Sequence, residues 1–123
     1  MEDERIWDLE KALWTGGREV YREHVGAECL MALPSAPFVF GGAEAIQAVA
    51  DTPRWDTVEF RETKVSRPQE GLIVIAYRAE AHQADRSYHA LCTTTLRRLS
   101  HEQWEVVQHQ QTPLGIIVAD PAA

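Results

Sequence analysis

Residues 104–113 read Trp-Glu-Val-Val-Gln-His-Gln-Gln-Thr-Pro, and this stretch decides the fold. It begins as a core strand, with an aromatic residue and two valines, and continues with hydrogen-bonding side chains until a proline ends it. Polar residues in succession on a strand that starts in the core are typical of a sheet that lines a polar cavity or buries a polar interface. The stretch therefore predicts the last strand of a sheet, with His109 and Gln111 beside a cavity.

Three helices are predicted upstream, at residues 2–14, 18–25 and 43–50. In the first, Ile6, Leu9 and Leu13 recur at the spacing of one helix face, which predicts an amphipathic helix. Glycines 16 and 17 then end it, because glycine supplies the backbone freedom that a helix C-terminus needs.

The other segments are predicted to be strands. They cover residues 27–33, 38–40, 55–65, 72–82, 86–99 and 102–112. Short turns between the last four require neighbouring strands to pair antiparallel. Helices followed by a long-stranded meander predict an α+β fold, in which N-terminal helices pack on one face of a curved antiparallel β-sheet.

Length and charge limit the class of protein. The 123 residues fit one domain over residues 1–123, with a core of about 3–113. A formal net charge of −7 argues against a nucleic-acid partner. Since no apolar run is long enough for a membrane helix and the acidic N-terminus is unlike a signal peptide, we expect no membrane partner and a cytoplasmic location. Cys29 and Cys92 lie in apolar contexts and are expected to be buried thiols.

The two middle strands of the predicted sheet carry apolar residues on both faces. In the strand at 72–82, Ile73, Ile75 and Tyr77 belong to an apolar face, and the opposite face begins apolar before it becomes charged. In the strand at 86–99 both faces are semi-apolar. The helices suffice to cover only one side, so the pattern predicts a homodimer through the other.

Several short motifs occur along the chain in an order that is informative. They are residues 10–14 (Glu-Lys-Ala-Leu-Trp), Tyr21, Pro34, 42–46 (Gly-Ala-Glu-Ala-Ile), 53–55 (Pro-Arg-Trp), 76–77 (Ala-Tyr) and 104–113. Together, over about residues 3–113, they resemble the nuclear transport factor 2-like superfamily, a cone-shaped α+β fold. More narrowly, they resemble the SnoaL-like domains related to the association domain of calmodulin-dependent kinase. That superfamily contains enzymes, binding modules and assembly domains, so the resemblance implies a fold and not an activity.

The resemblance transfers few functional residues. Ketosteroid isomerase-like members use a buried carboxylate as general base, and no Asp or Glu of this chain falls on a motif-matched catalytic position. Kinase association domains line their pocket with arginines, and the equivalent positions here are Ala79 and Thr95. Neither residue is charged, which argues against an anion pocket of that type.

A pocket is predicted between the helices and the concave face of the sheet. Aromatic walls with a few convergent polar tips are typical of small-molecule sites. The predicted lining consists of Trp14, Tyr21, Trp55, Tyr77, His89, Thr93, His109 and Gln111.

His109 is the candidate catalytic acid–base residue, because the ordinary pKa of histidine lies near neutrality and neighbouring glutamines can orient the ring. The alternative is a buried neutral histidine satisfied by hydrogen bonds. His89 forms a pair with His109 if the His89 side chain faces the same cavity. If that side chain faces outward, His89 lies in the dimer interface. Tyr21 and Tyr77 are candidate donors to a substrate carbonyl, or they simply tether their hydroxyl groups to backbone carbonyls.

No metal site and no cofactor is predicted. The five histidines lack the spacing of metal ligands, and the glycine pairs at 16–17 and 41–42 lack the surroundings of a phosphate loop. Neither cysteine lies in a basic setting of the kind that activates a thiol.

Three hypotheses for the function follow. The first is a binding or assembly module for a small apolar molecule. The second is a cofactor-free isomerase, cyclase or hydrolase that uses His109 with tyrosine donors. The third is a purely structural dimer whose pocket is filled by its own side chains.

Overall fold

Three helices and six strands make up the computed structural model, which describes residues 1–115. They are α1 (Asp3–Thr15), α2 (Arg18–His24), β1 (Val25–Ala32), β2 (Val39–Gly41), α3 (Gly42–Ala50), β3 (Thr57–Gln69), β4 (Leu72–Gln83), β5 (Arg86–Ser100) and β6 (Gln103–Pro113). Every helix and strand that the sequence predicts is present. No helix among residues 1–115 combines the length and the apolar character needed to cross a membrane.

The strands form one curved, open sheet in the order β2-β1-β6-β5-β4-β3. This arrangement confirms the predicted α+β fold, with one correction: the sheet is mixed, because β1 runs parallel to β6. Short turns impose antiparallel pairing on β1 with β2 and on the hairpins from β3 to β6. A long stretch of chain separates β1 from β6, so no turn constrains their relative direction.

Strand β3 lies at the edge of the sheet and extends further towards the C-terminus than predicted. The expected turn at 66–71 shortens to Glu70 and Gly71, and β3 continues through Pro68. A proline is tolerated there because an edge strand has one row of backbone groups that pairs with no neighbour. Gly71 has a φ of +80°, a conformation that glycine adopts without strain.

Helix α1 packs its apolar stripe on the inner face of β4, as the alternation in that strand predicts. Ile6, Leu13 and Trp14 are buried against an inner face that includes Ile75 and Tyr77. The Trp14 indole nitrogen donates a hydrogen bond of 2.9 Å to the Tyr77 hydroxyl group. This contact connects α1 to β4.

Alternation along β5 separates the core from the outer surface. Cys92, Thr94 and Leu96 are buried, whereas Thr93 and Thr95 point to the outer face. Thr94 lies directly opposite His109 of β6, which brings the His109 side chain to the inner face. The strands therefore carry two sets of polar residues, one on each side of the sheet.

Helix α3 approaches β1 unusually closely at its first residue. A Cβ atom on Gly42 would lie 2.1 Å from the carbonyl oxygen of Gly26, so only glycine fits there. This close contact places α3 over the open end of the sheet. The helix thereby forms one wall of the cavity described below.

Candidate functional site

A cavity of about 410 Å³ lies between the helices and the inner face of the sheet, near the C-terminal end of α1. Its walls are mainly apolar and include Leu13, Met31, Phe40, Val49 and Trp55. The cavity size falls within the range of small-molecule sites, roughly 300 to 1,000 Å³.

Five of the eight residues predicted to line a pocket lie on the wall of this cavity. They are Trp14, Tyr21, Trp55, His109 and Gln111. The helices contribute the first two, the loop before β3 contributes Trp55, and β6 contributes the last two.

The other three predicted residues lie elsewhere. Tyr77 is buried beneath Trp14, and its hydroxyl group donates a hydrogen bond to Glu10. His89 and Thr93 are on the outer face of the sheet, where His89 lies 3.9 Å from Glu80. The prediction that His89 and Thr93 line the cavity is wrong. Each is next to a residue of β5 whose side chain faces inward, Tyr88 and Thr94, so their own side chains face outward. His89 and His109 therefore do not form a pair.

Tyr88 completes an aromatic wall that the sequence analysis did not identify. Its ring stacks on Trp55 at a centroid distance of 5.6 Å and an interplanar angle of 11°, and it lies 6.1 Å from Trp14. The alternation of residues along this strand indicates the position of Tyr88, because Tyr88 shares its strand face with buried residues such as Cys92.

His109 is a buried neutral histidine held by hydrogen bonds on both ring nitrogens. Nδ1 lies 2.7 Å from the Thr94 hydroxyl oxygen, and Nε2 lies 3.0 Å from the amide nitrogen of Gln111. Burial lowers the pKa of His109 from 6.5 to about 4, and the nearby positive charge of Arg54 acts in the same direction. The ring therefore contacts the cavity without a charge at neutral pH.

Glu10 is a buried carboxyl group directly behind His109. It is 1% exposed, accepts hydrogen bonds from Tyr77 and from Thr94 (2.6 Å), and lies 3.6 Å from His109 Nδ1. Burial raises the pKa of Glu10 from 4.5 to about 7, although the bonds from Thr94 and Tyr77 oppose the shift. The Thr94 hydroxyl group thus bridges the carboxyl group and the imidazole.

The position of Glu10 in the helix gave a signal that the sequence analysis missed. It lies four residues after Ile6 and four before Trp14, so it belongs to the buried stripe of α1. A carboxyl group on such a stripe needs buried hydrogen-bond partners. The structure supplies them from β4 and β5.

Arg54 is a second residue that the pattern did not reveal. Its Nε atom donates a 2.7 Å hydrogen bond to the Gly16 carbonyl oxygen, and its Nη2 atom donates to the Leu13 carbonyl oxygen. These bonds satisfy carbonyl groups at the end of α1. The Tyr21 hydroxyl group donates a hydrogen bond to the same Leu13 oxygen at 2.9 Å. Tyr21 therefore follows the second predicted alternative, in which the hydroxyl group is bonded to a backbone carbonyl group.

The arrangement offers polar contacts at two ends of an apolar chamber. Buried, neutral His109 and half-buried Gln111 line one part of it, and half-buried Arg54 and exposed Arg86 line another. Among residues 1–115, no group of three or more His, Cys, Asp or Glu side chains is placed to hold a metal ion.

Replacing Glu10 with Gln should change how stability depends on pH. Because its pKa is raised, Glu10 stabilises the folded state fully below pH 4.5, and this contribution is lost as the pH rises towards 7. Because the pKa of His109 is lowered, its contribution is full above pH 6.5 and is lost as the pH falls towards 4. In the native protein the two trends oppose each other between pH 4.5 and 6.5.

Only the His109 trend remains in Glu10→Gln. Its free energy of unfolding should therefore rise by on the order of 1 to 3 kcal/mol more than that of the native protein between pH 4.5 and 6.5. Urea unfolding across this window measures the difference. Glu4→Gln, which alters an exposed carboxylate of the same helix, is the control and should keep the native profile. An unchanged profile in Glu10→Gln would contradict the raised pKa.

No family model and no curated protein matches the chain. Solved structures do match. A ketosteroid isomerase-like protein from Parabacteroides distasonis has a TM-score of 0.74 and 20% identity, covering 89% of this chain and 85% of that one. A nuclear transport factor 2-like protein of unknown function in nutrient uptake from Rhodospirillum rubrum has a TM-score of 0.74 and 14% identity, covering 92% and 99%.

The association domain of the calmodulin-dependent kinase CaMKII from C. elegans is also similar. Its TM-score is 0.72 at 15% identity, with 89% of this chain and 90% of that domain covered. At these identities the likeness shows the fold and not the activity. The resemblance expected from the sequence is confirmed: the chain has the nuclear transport factor 2-like α+β cone fold.

Proposed function

We propose that the protein binds a small, largely apolar molecule in the cavity between its helices and sheet. The observation that carries this proposal is the chamber itself, which remains open although aromatic side chains surround it. Apolar walls supply most of the binding free energy of such sites, and a few polar groups orient the ligand. Here Trp55 and Tyr88, whose rings stack on each other, contribute aromatic surface, and His109 and Gln111 present polar atoms.

The similar structures are compatible with this proposal without deciding it. They include a ketosteroid isomerase-like protein and kinase association domains, so a catalytic role and an assembly role each have a structural neighbour.

Filling the chamber should abolish binding of a neutral aromatic probe. Ala45 lies on α3 at the cavity wall and is 2% exposed, so Ala45→Phe directs a ring into the open space. We expect the native protein to bind 2-naphthamide in isothermal titration calorimetry and Ala45→Phe to bind at least about tenfold more weakly.

Ala43→Phe is the matched control, because Ala43 is exposed on the same helix and does not line the cavity. Thermal unfolding verifies that both variants are folded. Equal binding of the probe by the two variants would contradict the proposed site.

We further propose that two copies pair through the outer face of the sheet. Thr93, Thr95, Gln108 and Gln110 form a ladder on this face in which their side chains bond to one another, with contacts of 2.9 to 3.1 Å. Polar groups that are already satisfied within one chain lose little when a partner excludes water. Leu91 beside the ladder remains 46% exposed and supplies apolar area.

Arg78 on the same face also favours a partner. Its Nε atom is buried, yet it has no hydrogen-bond partner among residues 1–115. A buried donor without a partner is unfavourable by about 1 to 3 kcal/mol. An acceptor from a second copy would remove this cost.

Sedimentation at micromolar concentration should give twice the monomer mass of 13.9 kDa. Gln108→Lys should reduce that mass towards the monomer, because the symmetric interface would then bring two like charges together. Gln47→Lys, on the exposed side of α3, is the control and should stay dimeric. A native mass near 13.9 kDa would refute the dimer.

A second candidate function is cofactor-free acid–base catalysis, which the chain of Glu10, Thr94 and His109 favours. A histidine that is oriented by a hydroxyl group and backed by a carboxyl group can accept a proton at Nε2 when Gln111 gives up its contact there. The carboxylate form of Glu10 would then stabilise the imidazolium through Thr94. Tyr21 and Tyr77 are the two tyrosines predicted as donors to a substrate carbonyl group. Their hydroxyl groups already donate hydrogen bonds to the Leu13 carbonyl oxygen and to the Glu10 carboxyl group.

Ring opening of 5-nitrobenzisoxazole, which requires removal of one proton by a base, tests this role. His109→Gln should lower the rate by at least about 100-fold relative to the native protein. His101→Gln removes an exposed histidine outside the cavity and should leave the rate unchanged. A native rate no higher than that of His109→Gln would contradict the catalytic role.

A further inference from the structure

Among residues 1–115, the charged residues of the cavity wall are all arginines. Arg54 and Arg86 line the cavity, and no Asp or Glu of that range does so. The chain as a whole has 19 acidic residues against 12 basic ones, so a random sample of its charges would be mainly acidic. The cavity therefore has a local charge opposite in sign to that of the protein.

These two arginines also differ from most others in lacking an acidic partner. Six arginines have a carboxylate oxygen within 4.0 Å, namely Arg5, Arg22, Arg61, Arg67, Arg97 and Arg98. Within residues 1–115 neither cavity arginine forms such an ion pair. No carboxylate of residues 1–115 therefore neutralises their charges at the cavity wall.

Most hydrogen-bond donors of the Arg86 guanidinium group have no acceptor among residues 1–115. Its guanidinium group lies over the Trp55 ring at 5.6 Å, and its one side-chain hydrogen bond among the described residues joins Nη1 to the Gln83 amide oxygen at 3.4 Å. A planar guanidinium fork matches the two oxygens of a carboxylate. The guanidinium group lies over the Trp55 ring, on which Tyr88 also stacks, so a flat molecule that packs against these aromatic side chains brings its anionic group close to Arg86.

Arg54 acts differently, since its Nε and Nη2 atoms are engaged by the Gly16 and Leu13 carbonyl groups. Those bonds hold a fixed positive charge at the cavity wall. His109 and Gln111 are themselves uncharged at neutral pH. Arg86 is exposed whereas His109 is buried, so an anionic group belongs at Arg86 and an uncharged end belongs next to His109.

We propose that the cavity binds an aromatic or conjugated carboxylic acid, with its planar body on the Trp55–Tyr88 stack and its carboxylate on Arg86. This inference rests on the proposed binding function and adds the class of ligand. The arginines concerned are not at positions 79 and 95, which hold Ala79 and Thr95.

The test compares 2-naphthoate with its neutral analogue 2-naphthamide by isothermal titration calorimetry on the native protein. The carboxylate should bind about tenfold more tightly, because charge-assisted hydrogen bonds exceed neutral ones, and added salt should reduce the difference. Arg86→Gln should bring the affinity for 2-naphthoate down to that for 2-naphthamide. Arg98→Gln is the matched control, because Arg98 also lies over a tryptophan, Trp104 at 5.9 Å, but lines no part of this cavity.

The possible results separate the two proposals. A preference for the carboxylate that Arg86→Gln removes and Arg98→Gln preserves supports the ligand class. Equal binding of both probes, or a preference that survives in Arg86→Gln, overturns the ligand class and leaves the binding function intact. Failure of both probes to bind overturns the binding function and the ligand class together.

Discussion

The buried carboxyl group of Glu10 is the constraint on which the arrangement of this fold depends. A carboxyl group in the core is unfavourable unless hydrogen bonds satisfy it, so α1 can pack only where partners are available. Tyr77 of β4 and Thr94 of β5 provide them, and Thr94 extends the chain of contacts to His109 of β6. One helix is thereby connected to three neighbouring strands. With α1 held there and α3 held by the Gly42 contact, the space between them remains open.

The two ends of the cavity differ in burial and in charge, because buried His109 is neutral and exposed Arg86 is positive. Burial lowers the pKa of His109 to about 4, so its ring is uncharged near neutral pH, and burial raises the pKa of Glu10 behind it to about 7. Arg54 and Arg86 contribute the positive charges of the cavity wall, and Arg86 is exposed to solvent. The buried end, which is polar but neutral, accommodates an apolar molecule at little desolvation cost, whereas exposed Arg86 favours an anionic group.

The sequence predicted the fold better than the site. Helical spacing in α1 and alternation in β4 mark the buried faces correctly, because both patterns are local. The parallel pairing of β1 with β6 was missed, since it joins segments that are distant along the chain. For the same reason the contact of Arg54 with the end of α1 was not predicted, because Arg54 lies in a loop without periodic spacing. Glu10 was overlooked although its place on the apolar stripe indicated burial.

Native mass spectrometry of the gently purified protein, followed by denaturing extraction, tests most directly whether the cavity serves to bind a small molecule. The dimer and cavity together predict a species of twice 13.9 kDa that carries additional mass, and an extract that contains a flat organic acid. A species at 13.9 kDa that carries nothing, and gains nothing when 2-naphthoate is added, would contradict both the dimer and the binding function.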